Sequence, residues 1–221
     1  MEQRAHFTHK LEELKMQVLR MAAMSEKAVH NGIQAMEELD TALAEEVINN
    51  DAEINDLECN IDRFALELLA LGQPMARDLR FIVGCSRITL NLERIADEAA
   101  NLAQRAIFLS SRPPLPFNQQ MEQLSETAKN MLSESVSSFV NEDVQTASKV
   151  CVKDSEADEM HVSLLKGFIN QMVTESRIVE RGVHHIMATR HLERIADLAT
   201  NVAEAVIFIV EGEDVKHRCR G

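Results

Sequence analysis

Apolar residues along this chain recur every three or four positions over long runs, and strict alternation is absent. The pattern therefore predicts helices throughout. The first seam reads Leu11, Leu14, Val18, Met21, Ser25, Ala28, Gly32, Ala35 and Leu39, predicting a helix over about 8–39. The second half of that seam is small, which lets a neighbouring helix approach closely. Asp40 fits an N-cap for a second helix ending near Leu71. Gly72-Gln73-Pro74 breaks the chain, and Pro74 suits the first position of a third helix, where its missing N–H costs nothing. That helix carries Leu92, Ile95, Ala99, Leu102, Ala106 and Leu109 on one stripe. The Pro-rich run from Ser110 to Pro116, SSRPPLP, reads as a linker. A fourth helix from about Asn118, a turn at Asn141-Glu142-Asp143, a fifth helix to about Glu175 and a sixth to about Val210 follow. Gly212 fits the final helix stop.

The linker divides six helices into three plus three. The segment LERIADEAANLAQRAIF, Leu92 to Phe108, returns as LERIADLATNVAEAVIF, Leu192 to Phe208, with 11 of 17 residues identical. Asp40, Asp51 and Glu53 match Asp143, Asp154 and Glu156 at an offset of 103 rather than 100, which one three-residue indel explains. The expectation is an all-α chain made by tandem duplication of an antiparallel three-helix unit, residues 1–112 and 117–221.

Composition agrees with helix: no Trp or Tyr, seven Gly and four Pro in 221 residues. A net charge of −13 argues against direct nucleic-acid binding, which needs Lys and Arg to neutralise phosphate. A divalent cation or a basic protein surface is the more natural partner. Cys59, Cys85, Cys151 and Cys219 form no C-x-x-C pair and are expected as reduced thiols. The opening MEQRAHFTHKLEELK has no apolar h-region, and the longest apolar run, Ala205 to Val210, is too short to span a bilayer. A soluble, cytoplasmic protein without membrane insertion is expected.

The repeat keeps acids as well as apolar residues. On a helix Glu93 and Asp97 stand one turn apart, about 6 Å along the axis, with Asn101 one turn further. Glu193, Asp197 and Asn201 repeat the row on the sixth helix. The helical projection sets each row on a face turned away from the core. Carboxylates so spaced repel, and a divalent cation would reverse the sign; carboxylates with an amide oxygen suit Mg²⁺ or Mn²⁺, and carboxylate-bridged Fe is an alternative. A second helix, water or a partner must complete any such site. Similar pairs, Glu58 with Asp62, Glu122 with Glu126 and Asp154 with Asp158, occur in this acidic chain, so the spacing alone fits a solvated face equally well. Duplication of the whole E-R-I-A-D frame is what favours a cation. Arg94 and Arg194 read as ion-pair partners along their own helices.

Other patterns lead nowhere. His161 and Lys166 lack the shared face of a phosphotransfer histidine, and no Glu-x-x-His, P-loop, G-x-S-x-G or H-E-x-x-H occurs. His184, His185 and His191 read as polar-face or hydrogen-bonded histidines. No nucleophile with an orienting base is evident, so no enzyme is expected.

The two LERIAD segments, the R-D-L-R of Arg77 to Arg80 after Gln73-Pro74, the opening HFTHKLEELK and the tail VEGEDVKHR together resemble the PhoU family along essentially the whole chain. The resemblance implies two three-helix bundles related by pseudo-twofold symmetry, frequent homodimers, and surface metal clusters at E/D-x-x-x-D motifs. Carried over, those motifs are Glu93 with Asp97 and Glu193 with Asp197, with Fe, Mn, Zn or Mg as the ion. It further implies a metal-binding adaptor between the ATPase subunit of a phosphate transporter and a sensor histidine kinase, repressing the starvation response when phosphate is plentiful. A metal-dependent carboxylate enzyme acting on phosphate and a metal-free helical adaptor are the alternatives. Where the family more often reads E-R-I-G-D-H-A, this chain has Ala96 and Ala196 for Gly, and Glu98 and Leu198 for His.

Overall fold

A computed structural model describes residues 2–115 and 119–215. It contains α1 (Glu2–Glu38), α2 (Thr41–Gly72), α3 (Arg77–Ser110), α4 (Gln119–Asn141), α5 (Val144–Thr174) and α6 (Val179–Glu211), with one 3₁₀ turn, Ser176–Ile178, before the last. Helices α1–α3 form one antiparallel three-helix bundle and α4–α6 a second, so the chain is all-α in two tandem units. The proposed starting residue of the fourth helix, Asn118, and the linker's Pro116 lie outside the described residues.

The duplication is visible in the turns. Leu39 and Glu142, each φ 54°, take the left-handed conformation that ends α1 and α4. Asp40 and Asp143 follow, and each side chain accepts from two backbone N–H groups of the next helix. Each also donates its own N–H back five residues, to Ala35 at 3.1 Å and Ser138 at 3.0 Å, closing the orphan carbonyls of the preceding helix. The expected cap at Asp40 is therefore present.

Two boundaries differ from expectation. Helix α1 begins at Glu2 instead of near Thr8. Pro74 does not open α3: Gln73 (φ 45°) and Ala76 (φ 40°) both leave the right-handed region, so Pro74 sits in the connection and the helix starts at Arg77.

At the centre α3 runs antiparallel to α6. Gly84 at the start of α3 faces Ile209 near the end of α6, Glu98 meets His191 and Arg194, and Phe108 near the end of α3 stacks on His184 near the start of α6. Equivalent repeat positions thus face one another across a pseudo-twofold axis. The crossing is close because its residues are small: Ala96, Ala99, Ala103, Ala106, Ala196, Ala199 and Ala203 are all buried. Helix α1 closes the first unit along its small seam, with Ser25 donating to the Leu92 carbonyl at 3.0 Å and Gly32 lying against the backbone of Ala99. Ala128 and Ser135 are the buried small residues at the corresponding positions of α4.

This arrangement corrects one expectation. Helices α3 and α6 each pack against three other helices, which leaves only a narrow outer strip carrying Arg94, Asp97 and Arg194. Ala96, Ala100 and Ala196, projected beside the acidic rows on an outer face, are buried. The acids lie at the outer edges of the seams with α2 and α5, Asp97 exposed and Glu93, Glu193 and Asp197 half-buried.

Candidate functional site

The acidic rows face further acids. On α3, burial raises the Glu93 carboxyl above the usual range, and the charges of Asp97, Glu58 and Asp51 add to the shift. Asp97 is raised by burial, then by Asp51 and Glu98. On α2, Asn55 donates to Asp51 Oδ2 at 3.0 Å, which leaves Asp51 Oδ1 and Asn55 Oδ1 buried with no hydrogen-bond donor. The first acidic zone is therefore Asp51, Asn55, Glu58, Glu93 and Asp97.

The second zone repeats it. Glu193 is raised by burial, then by Asp158 and Asp197, against the lowering effect of Arg190. Its Oε2 is buried without a donor. Asp154, only 9% exposed, accepts from Thr200 at 3.5 Å. At the offset of 103, Asp154, Asp158 and His161 stand for Asp51, Asn55 and Glu58. His161 Nδ1 pairs with Thr189 Oγ1 at 3.0 Å.

Buried oxygens without donors, beside carboxyls that resist ionisation, are what a hard cation would relieve. The donor chemistry fits such an ion. Among the described residues, however, no three His, Cys, Asp or Glu side chains are grouped so that they could hold one metal ion. The acids are gathered into two zones without forming a finished coordination shell. Asn101 is half-buried on α3, and Asn201 lines a cavity between α3 and α6 with Arg87, Asn91 and Arg94. The α2 and α5 members escaped the sequence reading. Asp51 and Asp154 had aligned as repeat landmarks, which was the available signal, but their role required knowing which helix lies across the seam.

The arginines diverge from expectation. Arg194 Nε donates to Glu98 Oε1 at 2.5 Å across the α3–α6 seam, not to an acid on its own helix. His191 Nδ1 lies 2.7 Å from the other oxygen of Glu98. Glu98 thus joins the two units. Arg94 has no carboxylate within 4.0 Å among the described residues. His184 stacks on Phe108 at 3.6 Å between ring centres, and His185 is buried with Nδ1 3.0 Å from the Arg181 carbonyl. Cys85 and Cys151 are buried and Cys59 exposed, none of them in a disulfide, and Cys219 lies outside the described residues. No described helix is long and apolar enough to cross a membrane.

Fold and site together define a tandem-repeat helical protein with an acidic zone in each repeat, the two halves fastened along their last helices. The PhoU domain family matches residues 18–106 and 121–206, once per bundle. The phosphate-specific transport system accessory protein PhoU homolog of Aquifex aeolicus is 42% identical over 208 residues, 94% of each chain. The homolog of the same name from Pseudomonas putida is 35% identical over 96% of this chain and 83% of its own. The crystal structure of PhoU from Pseudomonas aeruginosa superposes with a TM-score of 0.90 at 34% identity, covering 94% of this chain and all of that one. The phosphate transport system regulatory protein PhoU from Streptococcus pneumoniae gives 0.88 at 27% identity, over 95% and 99%. The chain belongs to the PhoU family.

Proposed function

We propose that this protein is a cytoplasmic, non-catalytic regulator of a phosphate-specific transport system. It restrains the starvation response when phosphate is plentiful, by docking between the transporter's ATPase subunit and a sensor histidine kinase, and it works as a homodimer. The observation that carries this reading is likeness along nearly the whole chain, both repeats included, to proteins named as accessories of that system. The test is genetic. Deleting the gene leaves a starvation promoter active in high phosphate, and the wild-type gene restores repression. A deletion strain that still represses normally would refute the regulatory role.

The same reading assigns divalent or transition cations to the acidic zones, held by Glu93 and Asp97 with α2 donors and by Glu193 and Asp197 with α5 donors. Oxygen donors suit Mg²⁺ and Mn²⁺, and the imidazole of His161 makes the second zone more suited to Fe or Zn. A bound cation would supply positive charge at the surface, able to bridge these acids to acids or phosphate on a partner.

The raised carboxyls give this a physical test. A carboxyl raised in the folded state binds more protons there than in the unfolded chain, so stability falls as pH rises from the ordinary carboxylate range through the raised values. Metal-free protein is therefore expected to lose stability across that window. Glu93→Gln with Asp97→Asn, combined with Glu193→Gln and Asp197→Asn, flattens the loss. Added Mn²⁺ or Mg²⁺ raises the melting midpoint of the wild type at pH 7 and not that of the fourfold variant. Equal cation-induced shifts in both proteins would remove the ligand assignment and leave the regulatory role standing.

A further inference from the structure

The duplication supplies an internal template for a second kind of site. In one half, the carboxylate of Glu98 on α3 bridges Arg194 and His191 on α6, at 2.5 Å and 2.7 Å. The offset of 100 gives the mate of this triad as Leu198, Arg94 and Asn91. There the carboxylate is missing. Leu198 is buried, and Arg94 is exposed with no carboxylate within 4.0 Å among the described residues. At Arg94 the seam holds a cavity of about 240 Å³ lined by Arg87, Asn91, Arg94 and Asn201, with Leu90, Ala205 and the acids Glu204 and Asp214.

We propose that this cavity takes a small free oxyanion, which occupies on Arg94 the role that Glu98 fills on Arg194. The guanidinium fork matches two oxygens of a carboxylate or phosphate. The amides of Asn91 and Asn201 supply neutral donors, Asn91 Nδ2 already giving one hydrogen bond to the Arg87 carbonyl at 2.7 Å. Arg87 is fixed by stacking on Phe208 at 4.2 Å and by its pair with Asp214 at 3.6 Å, which neutralises that acid. Glu204 opposes an anion, so binding is expected in the millimolar range. The inference stands apart from the cation zones and from the regulatory reading, because it rests on the asymmetry of one seam.

The experiment uses the full chain stripped of metal with a chelator, so that phosphate cannot report on cations at the acidic zones. Inorganic phosphate, sulfate and acetate are titrated separately at constant ionic strength, with the arginine side-chain Nε–H resonances as the readout. Saturable binding with a shifted Arg94 resonance is expected. Comparing the three affinities separates a tetrahedral oxyanion from a carboxylate as the preferred occupant. Arg94→Gln should weaken binding at least tenfold. Leu198→Glu, which places a carboxylate beside Arg94 as in the other half, should abolish it; Arg94→Gln keeps the test decisive if that buried substitution fails to fold. Absence of saturable binding by all three anions, or equal binding by wild type and Arg94→Gln, overturns the proposal.

Discussion

Glu98→Ala lowers the unfolding midpoint at pH 7, and the deficit shrinks as the solution is acidified. The side chain is 12% exposed and holds Arg194 and His191 with separate oxygens. Hydrogen bonds to charged groups contribute roughly 1.5–3 kcal/mol each in favourable settings. Arg194 is 46% exposed, so its share is screened by solvent. A net loss of about 2–3 kcal/mol is expected, or roughly 5–10 °C for a chain of this size. Burial pushes the Glu98 carboxyl up, but the hydrogen bonds from His191 and Arg194, with their charges, outweigh it and hold the group below its ordinary value. A depressed carboxyl stabilises the fold above its unfolded value and loses that contribution as pH falls through the folded one. The gap between wild type and variant should therefore be full at neutral pH and narrow below about pH 4. The difference is the quantity to measure, since the raised acids of the two zones drive the whole-protein profile the opposite way. Denaturant melts at pH 7, 5 and 3.5 decide it. A gap that is absent at neutral pH, or unchanged at acid pH, removes Glu98 as the fastening between the two units.

That residue marks the limit of what was legible beforehand. Periodicity exposed the six helices because each buries a seam, and a seam leaves a mark every third or fourth residue. The Asp40 cap was readable for the same local reason, as was the stop at Gly212, whose φ of 79° favours glycine. Pro74 misled because a proline fits a helix start, whereas the left-handed residues Gln73 and Ala76 that set the true boundary carry no such signature. The acidic rows were legible as rows. The half-burial of Glu93, Glu193 and Asp197 was not, because a helical projection locates the face with the strongest apolar stripe and is silent about neighbours on the others. Asp51, Asp158 and the Glu98 pairing with His191 and Arg194 are contacts between helices far apart in sequence. Nothing local in the chain encodes which helix will lie across which seam. The repeat did encode part of it, since two halves that meet along their last helices must bring equivalent residues together.

The small seam of α1 leads to the last expectation, a pair of glycine substitutions with opposite signs. A Cβ on Gly32 would lie 2.9 Å from the carbonyl oxygen of Ala99, a backbone atom of a packed helix that has no rotamer to change. On Gly167, exposed in the interior of α5, a Cβ meets nothing within 4 Å. Replacing a helical glycine by alanine gains about 1 kcal/mol of propensity wherever space allows. Gly167→Ala should keep that gain, roughly 2–4 °C in melting midpoint. At Gly32 the same gain is set against overpacking, which costs about 1–3 kcal/mol for added methylenes in a tight core. Gly32→Ala is therefore expected to destabilise. Gly32→Leu should lose about 3 kcal/mol or more, a fall of roughly 6–12 °C, because three further carbons must pass the α3 backbone. The missing Cβ that permits the approach is on the α1 side of the contact. Thermal melts of the three variants at one pH are sufficient. Should Gly32→Ala stabilise as much as Gly167→Ala, α1 does not approach α3 this closely, and the small seam has no part in holding the first bundle together.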